Sequence, residues 1–394
     1  MKQSQGFRCI FCAEIISQRN KPEHIMLNAL GGRLTTKNVV CDRCNHDFGV
    51  GPDQDLAETA AFIRNMCNLK AGDGDGPPAL NGFESDGQPF RLDPGMQPKP
   101  FSRKPLVVEF EDQEIRVQIE AYSDAQVDKL AEGAARKIAK RLGYSEPRVV
   151  EAIKADLLKD KKSSFRPGPR VRQSLQFGEG MSQQAKAKAC LVFWAHCVGS
   201  EELHDGRYDA VRCFARFGKA PDDRETLIKI DTRPLPLTPD EFGQNPNVIW
   251  VGSDGHGKIY GYFRLYGAIG WRILLCGAGG PPNQSHSLIS NPLNNQIWKV
   301  SSGDDAVFTT EWVFSEWNSW PPEHEQVTGR LQLLMAHSQN ISQDIMLKNL
   351  FERGLAKAGC GDLDIITDKQ VSVLSSHVGR GLAAYLLKKE IPED

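Results

Sequence analysis

Two short cysteine pairs near the N-terminus constrain this sequence more than any other feature. Cys9 and Cys12 are separated by two residues, as are Cys41 and Cys44, and 28 residues lie between the pairs. Two thiolates at this spacing can bind one ion from a single turn, and four of them form the closed tetrahedral shell of a structural zinc site. We therefore predict that these four residues bind a structural Zn²⁺.

The rest of the composition is ordinary for a globular protein. The chain has 394 residues, of which 40% are hydrophobic, enough for two or three domains. Its first residues, MKQSQGFRC, lack the apolar core of a secretion signal, and no run of about 18 apolar residues could span a membrane. We expect a cytoplasmic protein without membrane contact, in a compartment that keeps thiols reduced and disfavours two disulfides.

The segment between and after the cysteine pairs carries a second pattern. It contains five polar side chains that can bind metal ions or transfer protons: Glu23, His24, Asn38, Asn45 and His46. A Gly-Gly pair lies between the first two and the rest. In this order, and together with the cysteines, the segment resembles the HNH endonuclease family, in the branch whose ββα-metal core is held by a four-cysteine zinc site. The resemblance covers about residues 7 to 60, under a fifth of the chain.

This resemblance implies a role for each side chain. His24 would be the general base that takes a proton from water, oriented by Asn38. Glu23 would bind a catalytic Mg²⁺ or Mn²⁺, although many members have Asp there and the longer arm would shift the metal or contact it through water. Asn45 directly follows the second cysteine pair and would be the second protein ligand, with the adjacent His46 as the alternative. Oxygen ligands suit Mg²⁺, and a neutral imidazole suits a base near pH 7.

The family resemblance of the first part and the hydrophobic periodicity of the rest predict an α+β fold with three parts. Residues 1–70 would be the small ββα-metal module. Residues 71–103 are rich in Gly, Pro and Asp, which predicts a linker or a long surface loop. Residues 104–394 would form a larger α+β domain that serves recognition, oligomerisation or regulation. Within it we expect a hairpin, several helices, a β-rich section from about 225 to 315 and a helical end.

One stretch is strongly basic although the formal net charge of the chain is −2. Between residues 136 and 172 there are twelve Lys or Arg and four acidic residues. The end of the stretch has no acidic residue and is the better candidate for phosphate contact, through Lys161, Lys162, Arg166, Arg170 and Arg172. The alternative is a pair of solvated amphipathic helices.

Together these features predict a metal-dependent endonuclease that acts on DNA, with RNA as the alternative substrate. A homo-oligomer or a regulatory partner would be formed through the C-terminal region, and such a fusion would suit a bacterial defence or mobile-element system. The competing hypothesis is a zinc ribbon that binds nucleic acid without cleaving it, with any activity in the C-terminal region. In a nuclease, Glu23, His24 and Asn45 should converge on one open point, separate from the four sulfurs.

Overall fold

The computed structural model describes residues 6–85, 87–100, 105–110, 114–121, 124–159, 176–177, 180–219, 227–236, 243, 245–294, 296–300, 308–316, 324–360 and 366–387. The chain divides into two compact units, Met1–Val327 and Thr328–Asp394. Helices and strands are mixed throughout the first unit, so the predicted α+β class is confirmed. The division falls well after residue 103, where the sequence predicts the end of a linker.

A small ββα arrangement opens the first unit. Strand β1 (Glu23–His24) pairs antiparallel with β2 (Thr35–Thr36), with Glu23 opposite Thr36 and His24 opposite Thr35. Helix α1 (Asp42–Gly49) follows, and α2 (Pro52–Met66) begins with a proline, which needs no hydrogen-bond partner for its nitrogen there.

The loop between β1 and β2 explains the Gly-Gly pair. Gly31 ends a short 3-10 turn with φ of 88°, in the left-handed region that favours glycine. A Cβ on Gly32 would lie 1.9 Å from the carbonyl oxygen of Met26, so a side chain cannot fit. The loop carbonyls of Leu30 and Gly31 accept hydrogen bonds from later residues, Asn247 (2.8 Å) and Ser290 (3.2 Å). The small module is therefore built into the first unit.

The segment predicted to be a linker or long loop contains a three-stranded antiparallel sheet. Its strands are β3 (Leu80–Ser85), β4 (Gln88–Asp93) and β5 (Gln97–Pro100). The buried side chain of Asn65 in α2 holds this segment, donating to the carbonyls of Pro78 (2.8 Å) and Leu92 (3.1 Å) and accepting from the Met96 amide (3.1 Å). Composition does not indicate this arrangement, because the contacts with Asn65 come from a helix that precedes the segment.

The next elements follow the sequence pattern closely. Strands β6 (Leu106–Phe110) and β7 (Ile115–Ile119) form the predicted hairpin, and α3 (Asp124–Arg141) and α4 (Pro147–Lys159) are the two predicted helices.

A six-stranded antiparallel sheet forms the centre of the first unit, in the predicted β-rich section. Its strands are β8 (Ile228–Asp231), β9 (Asn247–Ser253), β10 (Ile259–Leu265), β11 (Ile269–Cys276), β12 (Ser285–Asn291) and β13 (Gln296–Val300). They are arranged in the order β13-β12-β9-β10-β11-β8. Helix α5 (Ser182–Val198) packs against it and is buried on nearly all sides, as its apolar composition predicts. Helix α6 (Asp209–Phe217) packs beside α5.

The last elements that the structure describes are helices. A short α7 (Thr310–Phe314) belongs to the first unit, whereas α8 (His324–Lys357) lies mostly in the second unit, followed by α9 (Asp368–Leu387). Glycines allow α8 and α9 to approach closely, since a Cβ on Gly381 would lie 2.2 Å from Leu350. Among the helices that the structure describes, none has the length and apolar character needed to cross a membrane.

Candidate active site

The four predicted zinc ligands lie together. Cys9 and Cys12 belong to a turn in which the amide of Ala13, at φ of 60°, donates to the Cys9 carbonyl (2.9 Å). Cys41 is the N-cap of α1, and Cys44 lies in its first turn. All four sulfurs are within 4.8 Å of one another, and none forms a disulfide. Tetrahedral zinc with bonds of about 2.3 Å needs sulfurs about 3.8 Å apart, so the cluster fits a structural Zn²⁺.

The electrostatics of the cluster also favour a cation. The hydrogen bond from Cys44 lowers the pKa of Cys9 to about 5. Burial raises the pKa of Cys41 to about 11, and the hydrogen bond to Cys9 raises the pKa of Cys44 further. Four thiols this close cannot all ionise unless a positive charge lies between them, which a bound Zn²⁺ supplies.

Two arginines of helix α6 donate hydrogen bonds to backbone carbonyls of the first cysteine turn. Arg212 donates to the carbonyl of Ile10 (3.1 Å), and Arg216, one helical turn later, donates to the carbonyl of Phe11 (3.1 Å). Sequence reasoning missed this contact, because more than 200 residues separate each donor from its acceptor. The zinc turn is thus stabilised by the larger part of the unit as well as by its own ligands.

His24 lies on β1 and is half-buried. Burial, followed by the charge of Lys188, lowers the pKa of its imidazole, against the opposing effects of Asp73 and Asp53. The side chain of Asn28 fixes the exposed Asp73 by donating to its carboxylate (2.6 Å) and accepting from its amide (3.0 Å). A lowered pKa favours the neutral imidazole, which is the form that can accept a proton.

Glu23 has a different environment from its neighbour, since adjacent strand residues point to opposite faces. Its side chain is 3% exposed, and its Oε1 accepts a short ion-pair hydrogen bond from Lys188 of α5. Lys188 is itself 0% exposed and also donates to Asp53 at the start of α2 (2.7 Å). Burial raises the pKa of the Glu23 carboxyl against the opposing charge of Lys188.

Lys188 and Asp53 are the members of this cluster that sequence reasoning missed. The usable signal was AKAKACLVFWA, in which two lysines interrupt an otherwise apolar helix. A lysine that is forced into a core needs an acidic partner nearby. Nothing in the sequence, however, shows that this partner would be the predicted catalytic acid.

The remaining predicted residues differ in their exposure. Asn45 is half-buried and lies three residues before Phe48, hence on the same face of α1; the Phe48 ring centre is 5.4 Å from the Lys188 ammonium. His46 is exposed. Asn38 is also exposed, and within the described part of the chain it makes no hydrogen bond to His24.

Comparison with known proteins agrees with this architecture. Residues 9–59 match the model of a family described as HNH endonuclease. The N-terminal region belongs to the HNH endonuclease family. Neither the curated proteins nor the solved structures contain a match to the chain.

The HNH match begins at the first zinc cysteine and ends within α2. It therefore includes Glu23, His24, Asn45 and Asp53 but not Lys188, which comes from outside the HNH module. Glu23 is buried against that lysine and does not face open solvent.

A divalent cation nevertheless suits the donor atoms of the HNH module. Oε2 of Glu23 and Oδ1 of Asp53 are buried and have no hydrogen-bond partner among the described residues. Carboxylate oxygens of this kind are the ligands that Mg²⁺ and Mn²⁺ prefer. The predicted phosphate-contacting residues Lys161, Lys162, Arg166, Arg170 and Arg172 lie outside the described residues.

Proposed function

We propose that the HNH module hydrolyses phosphodiester bonds in DNA, with His24 as the general base. The observation that carries this proposal is the position of His24 within the matched segment. It is half-buried, burial lowers its pKa, and it directly follows Glu23 on β1. A neutral imidazole at such a position can take a proton from an attacking water.

Glu23 and Asn45 are the proposed protein ligands of a catalytic Mg²⁺ or Mn²⁺. When bound, the ion would stabilise the negative charge that develops on the phosphate and the leaving oxygen. The zinc cluster has a separate task, because its four sulfurs leave no open position for substrate. It ties the start of α1, which carries Asn45, to the first cysteine turn.

Asn38 is the proposed orienting residue for His24. Its exposed side chain makes no hydrogen bond to the imidazole among the described residues, so the support for this role is the family pattern alone. The basic segment around residues 161 to 172 is the proposed contact for DNA phosphates, and an RNA substrate is the alternative. We also propose a cytoplasmic setting in a bacterial defence or mobile-element system, with oligomerisation or a regulatory partner at the C-terminal region.

Incubation of zinc-loaded protein with supercoiled plasmid and Mg²⁺ or Mn²⁺ tests the proposal. The wild type should nick or linearise the plasmid, and His24→Ala should lose activity by about 10²-fold or more, the usual contribution of a general base. His256→Ala is a matched control, since His256 is exposed in a turn far along the chain. Zinc content is measured in each protein. Full activity of zinc-loaded His24→Ala would refute the assignment.

One observation favours the competing function, a module that binds nucleic acid without cleaving it. Lys188 already supplies a cation to Glu23, so this carboxylate is engaged without any divalent metal. Single-stranded and duplex DNA and RNA are therefore included as substrates and as binding probes. Binding by wild type and His24→Ala alike, without cleavage of any substrate, would favour the binding function.

A further inference from the structure

We propose that Asp53 is a second carboxylate ligand of the divalent metal, and that Lys188 of α5 positions both Asp53 and Glu23 for it. The proposal deepens the proposed nuclease function and rests on it. It adds one ligand that the HNH resemblance did not name and one positioning residue from outside the matched segment.

The hydrogen bonds divide each carboxylate into an occupied and a free oxygen. Lys188 binds Oε1 of Glu23 and Oδ2 of Asp53, the latter at 2.7 Å. Oε2 of Glu23 and Oδ1 of Asp53 remain, both buried and without a hydrogen-bond partner among the described residues. Burying a carboxylate oxygen without a partner is unfavourable, and two of them in one cluster indicate a missing positively charged or donating group.

The charges of the cluster point to a cation. Two carboxylates and one ammonium leave a net charge of −1 in a region where Glu23 and Lys188 are almost fully buried. The hydrogen bonds of the ammonium go to the other oxygen of each carboxylate, and the ring of Phe48 lies 5.4 Å from it. Two carboxylate oxygens, with the amide of Asn45 as the third proposed donor, form a hard donor set, which suits Mg²⁺ or Mn²⁺.

Helix packing shows how Lys188 is held in place. Asp55 lies two residues after Asp53 in α2. Its carboxylate accepts a hydrogen bond from the amide of Ser182 at the start of α5 (2.6 Å). Asp53 and Asp55 thus engage α5 at two points, which sets the position of Lys188 along the helix axis. The site is thereby completed by an element outside the HNH match, and metal binding is coupled to the packing of the larger part of the unit.

Binding of Mn²⁺ to the full-length, zinc-loaded protein tests the ligand assignment. The loss of the electron paramagnetic resonance signal of free Mn²⁺ reports the affinity without any substrate. Asp53→Asn keeps a side-chain oxygen for Lys188 but removes the charge, and should weaken Mn²⁺ binding by about tenfold or more. The control is Asp47→Asn, an exposed acid on α1, which should bind like wild type. Equal Mn²⁺ affinity in Asp53→Asn and wild type would overturn the assignment.

Thermal unfolding of Lys188→Met tests the positioning role. Without the ammonium, both carboxylates depend on added metal, so Mn²⁺ should raise the melting temperature of this variant more than that of wild type. If Lys188→Met folds only when Mn²⁺ is present, that outcome supports the proposal in the same way. If Lys188→Met is equally unstable with and without Mn²⁺, Lys188 has only a structural role and the proposal fails.

The two proposals fail in different ways. Cleavage of plasmid by Asp53→Asn with unchanged Mn²⁺ affinity would remove the Asp53 assignment and leave the nuclease function standing. A wild type that cleaves nothing, but whose Mn²⁺ binding is lost in Asp53→Asn, would remove the nuclease function and leave the metal site.

Discussion

Replacement of Lys188 by methionine should strongly destabilise the metal-free protein. Methionine has a similar length and volume, so the substitution removes the charge with little change in packing. Lys188 is 0% exposed and holds Glu23, which is 3% exposed, together with Asp53. Removing one partner of a buried ion pair typically costs about 3–5 kcal/mol, because the other charge stays buried without compensation. That loss is a large fraction of the 5–15 kcal/mol that stabilises a typical domain.

Urea unfolding measures this loss of stability and is followed by tryptophan fluorescence. A chelator is present to remove divalent metals that bind the protein more weakly than zinc does. Trp194 lies on the same helix as Lys188 and reports the relevant core. Lys154→Met is the matched control. Lys154 pairs with Asp128 at 2.8 Å, nearly the distance between Lys188 and Asp53, but Asp128 is exposed. It should unfold at the same urea concentration as wild type. A loss below about 1 kcal/mol for Lys188→Met would refute the reasoning, because it would place the carboxylates in contact with water.

Three further predictions follow from the same geometry. Cleavage activity should increase with pH through the pKa of His24 and reach its plateau at or below neutral pH. The reason is that burial and then the charge of Lys188 lower this pKa from its usual value of 6.5, and the base acts in its neutral form. A pH–rate profile that rises only above pH 8 would contradict this. Cys44→Ser should reduce the zinc content, measured by elemental analysis, from one ion per chain, whereas Cys360→Ser, a buried cysteine of the second unit, should retain it. Gly32→Ala should destabilise the loop between β1 and β2 by more than 1 kcal/mol, on the order of other overpacked sites, since its Cβ would lie 1.9 Å from the Met26 carbonyl; unfolding like wild type would refute the close approach.

Much of the local structure was predictable from short-range patterns. The spacing of Cys9, Cys12, Cys41 and Cys44 predicted the cluster that the structure confirms, since two-residue spacing within a turn limits where two sulfurs can lie. Alternation and helical periodicity likewise predicted the hairpin β6–β7 and the helices α3 and α4. These elements depend on contacts between residues close in sequence, so composition and period are sufficient to identify them.

The surroundings of the site could not be predicted in this way. Nothing in the first 70 residues indicates that Glu23 meets a buried lysine 165 residues later, or that Asn65 holds a sheet where composition predicts a linker. Such contacts form only when distant segments pack, and a charged or amide side chain acquires its role from the partner that it meets there.

The sequence by itself determined the ligand types and their local geometry: four thiolates for zinc, an imidazole beside a carboxylate on one strand, and glycines where the loop permits no side chain. Only the tertiary structure decided how these groups are charged and which of their atoms remain available. Burial lowers the pKa of His24. Lys188 of α5 binds one oxygen of Glu23, and the other has no hydrogen-bond partner within the described part of the chain. The physical reason is that charge and proton affinity in a protein interior depend on the solvent that has been removed and on the groups that replace it, and both come from residues far along the chain.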